Sequence, residues 1–317
     1  MKPKKEISRR HYLSYLPATV MLICGFMYLF ASCEREDDDV SPSTREMVTL
    51  NFTVNEKDFG VNDVTFRSKT VPKSLRVVPL NADTKVRVVA YETPPDYTTK
   101  VSYADYKISG SGALIPLSAP LTVAAGTYKF VIYSYNDTVS MLPFADITAA
   151  ITSRDLLWGS TTTAVSTTTD NVHILLEHLF SQIKLHVSLN HAVGSIINDI
   201  QGAVFYHTFP ALVVQSGTLV QGTTDRIPFE WLSSAGYTSE WYSTNHHVYT
   251  NGNYPVVSID NVTIDSNLYN TGLPWIINYY SMPLASGYSY TLSVYFTKDG
   301  ILCGDLESPS TGAWGDY

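Results

Sequence analysis

Cysteine and positive charge are both scarce in this chain. It has three cysteines in 317 residues, and 21 Lys and Arg against 29 Asp and Glu give a formal net charge of −8. An acidic balance of this kind is repelled by phosphate backbones, which removes nucleic acid from the partners to consider. Recognisable catalytic patterns are missing as well. Ser181-Gln182-Ile183-Lys184 has the S-x-x-K spacing of serine acyltransferases, but it lies in a β-alternating run without a companion S-D-N or K-T-G. Gly110-Ser111-Gly112 lacks the glycine spacing of a nucleophile elbow and reads as a turn. His173, His178, His186 and His191 are separated by five, eight and five positions, which forms no recognised metal site, and His246-His247 in a Ser/Thr/Asn-rich stretch reads as a loop pair. The chain is therefore expected not to be an enzyme, with no catalytic residue, metal site or cofactor implied.

What the chain does have, first, is a long uncharged stretch. Lys2, Lys4, Lys5, Arg9 and Arg10 precede Tyr12 to Ser32, which carries no charge and is dominated by Leu, Ile, Val, Phe, Met and Ala. A basic n-region, an apolar h-region and small residues at the cut make a secretory signal layout. The pair Ala31-Ser32 before Cys33 separates it from a spanning helix of ~20 residues. Leu29-Phe30-Ala31-Ser32-Cys33 resembles the bacterial lipoprotein cleavage box, with Phe30 as a departure. The resemblance implies that residues 1–32 are a signal peptide and that Cys33 becomes the acylated first residue of the mature chain. Hydrocarbon burial at ~0.8 kcal/mol per methylene then makes several acyl chains a durable anchor. Cys24 leaves with the signal, so Cys303 is the one thiol left and no intramolecular disulfide forms.

Removing residues 1–32, with five Lys and Arg and one Glu, leaves sixteen basic against twenty-eight acidic residues, a net of −12. Glu34, Glu36, Asp37, Asp38 and Asp39 open an acidic tether over residues 33–45 that stays solvated. They lack the Gly and distal Glu of a calcium loop. The run also resembles the acidic export signal that sends lipoproteins of Bacteroidota-type bacteria to the outer face of the outer membrane, which implies a surface-exposed location.

Period-two alternation recurs along the rest of the chain, with β-branched and aromatic residues on one phase and breaks at Gly, Pro, Asn and Asp. Val48 to Val54, Lys85 to Tyr91, Thr127 to Tyr135, Ile183 to Leu189 and Tyr288 to Phe296 carry it. The pattern predicts an all-β chain of short strands forming sandwiches, long enough for two cores. Helical or irregular structure is expected at Asp146 to Trp158 and at Val193, Ile196, Ile197 and Ile200, which follow i, i+3, i+4, i+7. Between Gly159 and Asp170 lies a Ser/Thr run too polar and uniform to make a core. The domain boundary is placed beside it, giving residues 46–170 and 171–317. Pro120 to Tyr133 and Pro283 to Tyr295 each set a glycine-marked turn before an aromatic-rich strand, which suggests two related sandwiches.

Leu121 to Asn136 ("LTVAAGTYKFVIYSYN"), Asp155 to Gly159 ("DLLWG"), Leu175 to Leu189 ("LLEHLFSQIKLHVSL") and Met282 to Phe296 ("MPLASGYSYTLSVYF") resemble the fimbrillin-like proteins of Bacteroidales, subunits of lipoprotein-derived type V pili. The resemblance covers about residues 46 to 305. It implies two transthyretin-like β-sandwich domains in tandem, and a subunit that joins other fimbrillin-like subunits in adhesive fibres or caps, anchors or decorates them. It also implies assembly by donor strand exchange: a trypsin-like protease removes the first strand after an arginine, and a neighbour's extended strand fills the vacated groove. The first strand here is Val48 to Val54. Arg67, in the polar Phe66-Arg67-Ser68-Lys69, is the first choice for the cut, then Arg45, then Arg76.

Glu307 to Tyr317, with Pro309 and two glycines, is poorly suited to donate a strand, which leaves a stalk role and a tip or accessory role both open. The second functional reading keeps the same address. Twenty-two tyrosines and five tryptophans supply apolar faces for stacking sugars, and Trp231, Trp241, Tyr242, Tyr249 and Tyr254 are the candidates that fall in loops of a glycan-binding lipoprotein. Either reading places a ligand on a host or bacterial surface among the expected partners.

Overall fold

A computed structural model describes residues 46–57, 77–78, 80–92, 95–145, 148–149, 154–169, 171–189, 195–232, 239–269, 272–279, 283–297, 300–302 and 306–307. Every helix or strand assigned among them is a strand. The first twelve are β1 (Met47–Thr49), β2 (Asn51–Lys57), β3 (Val77–Val78), β4 (Lys85–Glu92), β5 (Thr99–Ile108), β6 (Leu114–Pro116), β7 (Thr122–Ala124), β8 (Gly126–Ser134), β9 (Phe144–Ala145), β10 (Thr148–Ala149), β11 (Leu157–Val165) and β12 (Asn171–His178). The next seven are β13 (Ser181–Leu189), β14 (Ile197–Gln201), β15 (Val204–Val213), β16 (Thr218–Pro228), β17 (Glu240–Tyr242), β18 (His246–Val248) and β19 (Val256–Ile259). The last are β20 (Asn261–Ile264), β21 (Asn267–Tyr269), β22 (Trp275–Asn278), β23 (Ser289–Thr297), β24 (Gly300–Leu302) and β25 (Leu306–Glu307).

Eight strands make one sheet in the order β3-β2-β12-β11-β8-β4-β5-β6. It curls on itself, because Thr53 of β2, near one end, bridges Ala113, the residue before β6 at the other end. β1 and β7 pair across the mouth of this curl. The enclosed side chains, among them Phe52, Val88, Tyr106, Phe130, Ile132 and Ile174, form the first core. In the second half, β13 lies between β17 with β18 on one side and β23 on the other. Its alternate residues Ile183, Leu185 and Val187 pack with Phe205, Val257 and Val294 in a second core. Each of the two cores thus borders one long parallel pair, β2 with β12 and β13 with β23, among antiparallel neighbours.

A third cluster lies outside both. β8 buries Tyr128, Phe130 and Ile132 in the first core and sends Val131 and Tyr133 to the opposite face, where Val89, Tyr91, Phe180, Leu212 and Val214 meet them. A strand covered on both faces loses its alternation, which is why Phe130 to Ser134 is buried without a break. Through this cluster the eight-stranded sheet packs on β15 of the second half, and the described residues from Glu46 onward belong to a single compact unit. The residue at which the sequence reading divides the halves, 171, is the first of β12, whose Val172, Ile174 and Leu176 belong to the first core.

Two local expectations need correction. The Ser/Thr run after Gly159 contributes only Val165 to a core, as expected of so polar a stretch, but its first half is strand and not an irregular connection: β11 pairs with β8 over nine residues, Leu157↔Ser134 to Val165↔Gly126, because threonine suits a pleated, half-buried surface. Ile197 and Ile200 lie in strand β14 rather than a helical turn. A register shift between Ile197 and Asp199 puts both isoleucines on the buried side, so a bulged strand imitates helical spacing. Of Asp146 to Trp158, residues 148–149 and 157–158 are strand, and residues 146–147 and 150–153 lie outside the described residues, as does Val193.

Candidate functional site

The expected first strand, Val48 to Val54, is two strands with a break at Leu50. β1 pairs antiparallel with β7, from Met47↔Ala124 to Thr49↔Thr122, and the Leu50 amide donates to the Leu121 carbonyl at 3.3 Å. β2 runs parallel to β12 in an unbroken register from Asn51↔Asn171 to Glu56↔Leu176. Its other edge is held at separate points: the Val54 amide donates to the Gly112 carbonyl at 3.0 Å, and Glu56 and Lys57 pair with β3. Gly112 has φ +81°, and a β-carbon there would come within 2.7 Å of the Val54 carbonyl oxygen, so glycine is what lets the turn approach the strand. β1 and β2 together therefore form the segment that closes the seam of the curled sheet.

Alternate residues Val48, Leu50, Phe52 and Val54 enter the first core, and Phe52 sets its ring edgewise to Phe130 at 5.5 Å and Tyr106 at 6.0 Å. Fully burying a side chain of this size is worth ~1.5–3 kcal/mol, so the four contribute ~6–12 kcal/mol. That equals the net stability of a typical domain, ~5–15 kcal/mol. The segment is therefore a major part of what holds the first core together.

The inward row continues to Glu56, where it becomes charged. The Glu56 carboxylate hydrogen-bonds Nε2 of His178, at the end of β12, whose Nδ1 lies 2.8 Å from Oδ1 of Asp155. Asp155 accepts a further bond from Asn136 Nδ2 at 2.8 Å. Burial opposes a charge on His178, but Asp155 and then Glu56 outweigh it and its pKa is raised to about 9. At neutral pH the ring is an imidazolium donating from both nitrogens. Burial likewise opposes the Asp155 charge, and His178, His247 and Asn136 hold its pKa below the ordinary value. On the outer face Thr53 Oγ1 lies 3.2 Å from His173 Nδ1, and Lys57 pairs with Glu177 at 2.9 Å.

The four histidines close in sequence are thus separated in space. His173 is on the outer face of β12 and His178 on the inner; His186 stacks on Tyr242 with centroids 4.3 Å apart; His191 lies outside the described residues. His246-His247 is not a loop pair: both residues are in β18, where burial lowers both pKa values, because β18 pairs with β13 and turns His247 inward. Ser181 is held by its hydroxyl on the Ala285 carbonyl at 2.8 Å. Of the aromatic residues proposed for sugar stacking, Trp241 and Trp231 pack edgewise at 5.5 Å in the second core and Tyr249 stacks on Phe180, leaving Tyr242 and Tyr254 as the exposed ones. Cys33, Arg45, Arg67, Arg76 and Cys303 all lie outside the described residues. The Glu56–His178–Asp155 contact escapes sequence reasoning because Glu56 and His178 are 122 positions apart. The one available signal was a charged residue on the apolar phase of a strand.

No family model matches the chain, and no curated protein does. Solved structures do. A candidate cell adhesion protein from Bacteroides fragilis has a TM-score of 0.52 and 14% identity, over 84% of this chain and 99% of its own. Another from Bacteroides ovatus has 0.51 and 14%, over 84% and 97%. The fimbrial anchor protein Mfa2 from Porphyromonas gingivalis has 0.47 and 13%, over 82% and 98%. The structural neighbours are candidate cell-adhesion proteins and fimbrial anchor or assembly proteins of Bacteroidales, and at 14% identity the likeness to the two Bacteroides proteins shows a shared all-β, sandwich-like fold.

Proposed function

We propose that this chain is a surface-exposed structural and adhesive subunit, anchored through an acylated Cys33, in which residues 47–57 occupy a groove that an extended segment of a second chain takes over after proteolysis at an arginine. The observation that carries the reading is the placement of β1 and β2 at the seam of the curled sheet. Their departure frees the edge of β12, the edge of β7 and a row of apolar core at once. Such a groove suits strand addition, in which backbone hydrogen bonds give affinity and alternate side-chain pockets give specificity. The fold shared with the two Bacteroides adhesion proteins agrees with this role. Arg67 is the first candidate for the cut and Arg45 the second. A cut at Arg67 separates residues 47–57 from β4 and the strands after it, whereas a cut at Arg45 leaves β1 and β2 in place and only releases the lipid.

The test is limited trypsin on the full chain, followed by N-terminal sequencing, mass measurement and electrophoresis in SDS. New N-termini after Arg67 accompanied by SDS-resistant ladders or ordered fibres are expected. A protein that stays monomeric after cleavage and binds polysaccharide would replace this reading with the glycan-binding one.

A further inference from the structure

Along β1 and β2 the row of four alternating apolar residues, Val48, Leu50, Phe52 and Val54, ends two positions later in a carboxylate, Glu56. Lys57 points outward to Glu177, so Glu56 is the charged side chain that β1 and β2 send inward. Its partner belongs to the wall of the groove and not to the segment. His178 is part of β12, and Asp155 and Asn136, which orient its ring, precede and follow strands of the same sheet. All three remain when β2 leaves. The vacated groove then contains an imidazole ring with Nδ1 held by Asp155 and Nε2 aimed at the space Glu56 occupied. His247 and Asp155 are further ionisable groups close enough to interact with that ring.

We propose that His178 selects the strand that takes the place of β2, requiring a carboxylate at the position of Glu56 after apolar residues at the positions of Val48, Leu50, Phe52 and Val54. The inference rests on the strand-exchange reading given above. The His178–Asp155 pair persists without Glu56, but a side chain there that carries no negative charge deprives the buried Nε2–H of its charge-assisted acceptor, and a weakened or unmade hydrogen bond from a buried charged donor is costly. Register is fixed by the same contact. A slip of one residue turns the apolar row to solvent, and a slip of two brings the carboxylate against the pocket of Val54. The partner is thus a peptide segment of a second chain reading apolar-x-apolar-x-apolar-x-apolar-x-acid, laid parallel to β12.

The test uses fluorescently labelled peptides of residues 46–57, with the natural sequence and with Glu56→Gln, incubated with the full chain before and after limited trypsin. The natural peptide is expected to incorporate at least tenfold more than the Glu56→Gln peptide, and the ratio is expected to fall towards one in a His178→Gln chain. Equal incorporation of both peptides into the unmodified chain overturns the selection by His178 and leaves strand exchange standing. Incorporation of neither peptide in either state overturns strand exchange and this inference with it.

Discussion

The buried histidines give the fold a pH optimum whose two sides have different owners. His178 titrates near 9 in the folded chain against 6.5 for an unperturbed ring, so the folded state holds its proton more tightly than the unfolded one. The stabilisation is fully present below pH 6.5 and is lost as the pH rises through 9. A difference of about 2.5 units at 1.36 kcal/mol each amounts to about 3 kcal/mol. His207 does the opposite. Burial and the neighbouring His247 lower its pKa to about 4, so stability falls as the pH drops from 6.5 towards 4, again by about 3 kcal/mol. His246 and His247, also lowered by burial, steepen the same acid side. Urea unfolding of the parent chain at pH 5, 6.5 and 9.5 is expected to show greatest stability near 6.5. In a His178→Gln chain the fall between pH 6.5 and 9.5 is expected to shrink by about 3 kcal/mol while the acid side persists. The ring can also be followed directly by NMR in the unmodified protein. A His178 midpoint between 6 and 7, or an unchanged alkaline fall in the variant, would refute the imidazolium bridge.

Other substitutions probe the framework. Phe180→Ala, which empties a site stacked on Tyr249 at 6.0 Å and packed edgewise on His207 at 5.7 Å, is expected to destabilise by about 3–5 kcal/mol in denaturant unfolding. Arg87→Lys loses the paired bonds to Asp105 at 2.6 and 2.8 Å and the bond to the Leu142 carbonyl at 2.9 Å, and about 1–3 kcal/mol is expected in the same assay. Gly159→Ala places a β-carbon 2.2 Å from the Leu175 carbonyl oxygen and should cost about 1–3 kcal/mol by forcing β11 from β12. Gly110→Ala, with nothing within 4 Å, should change the melting midpoint little and serves as its control.

The strands read from alternation were legible because β2 and β13 each have one face on a core and one turned away from it. β4 and β8 were legible as strands, yet their second buried face was not. Val131 and Tyr133 resemble any other apolar residues until β15 is known to lie over them. Thr161 to Thr163 lacked the apolar phase that marks a strand, and β8 beside them supplies the ladder that makes one. At the candidate site the apolar row was readable and its meaning was not. The parallel pairing to β12, the closing bridge to Ala113 and the Glu56–His178 bond all join residues far apart in the chain, and alternation carries no information about which strand lies next to which.

The most direct measurement is hydrogen exchange on oligomers formed after cleavage, combined with mass analysis for residues 46–57. Replacement of one strand by another predicts oligomers that have lost those residues yet keep the amides of β12 protected, since a second chain now covers that edge. Oligomers that retain residues 46–57 on β12 in every subunit, or that lose them and leave the β12 amides open to exchange, would contradict it.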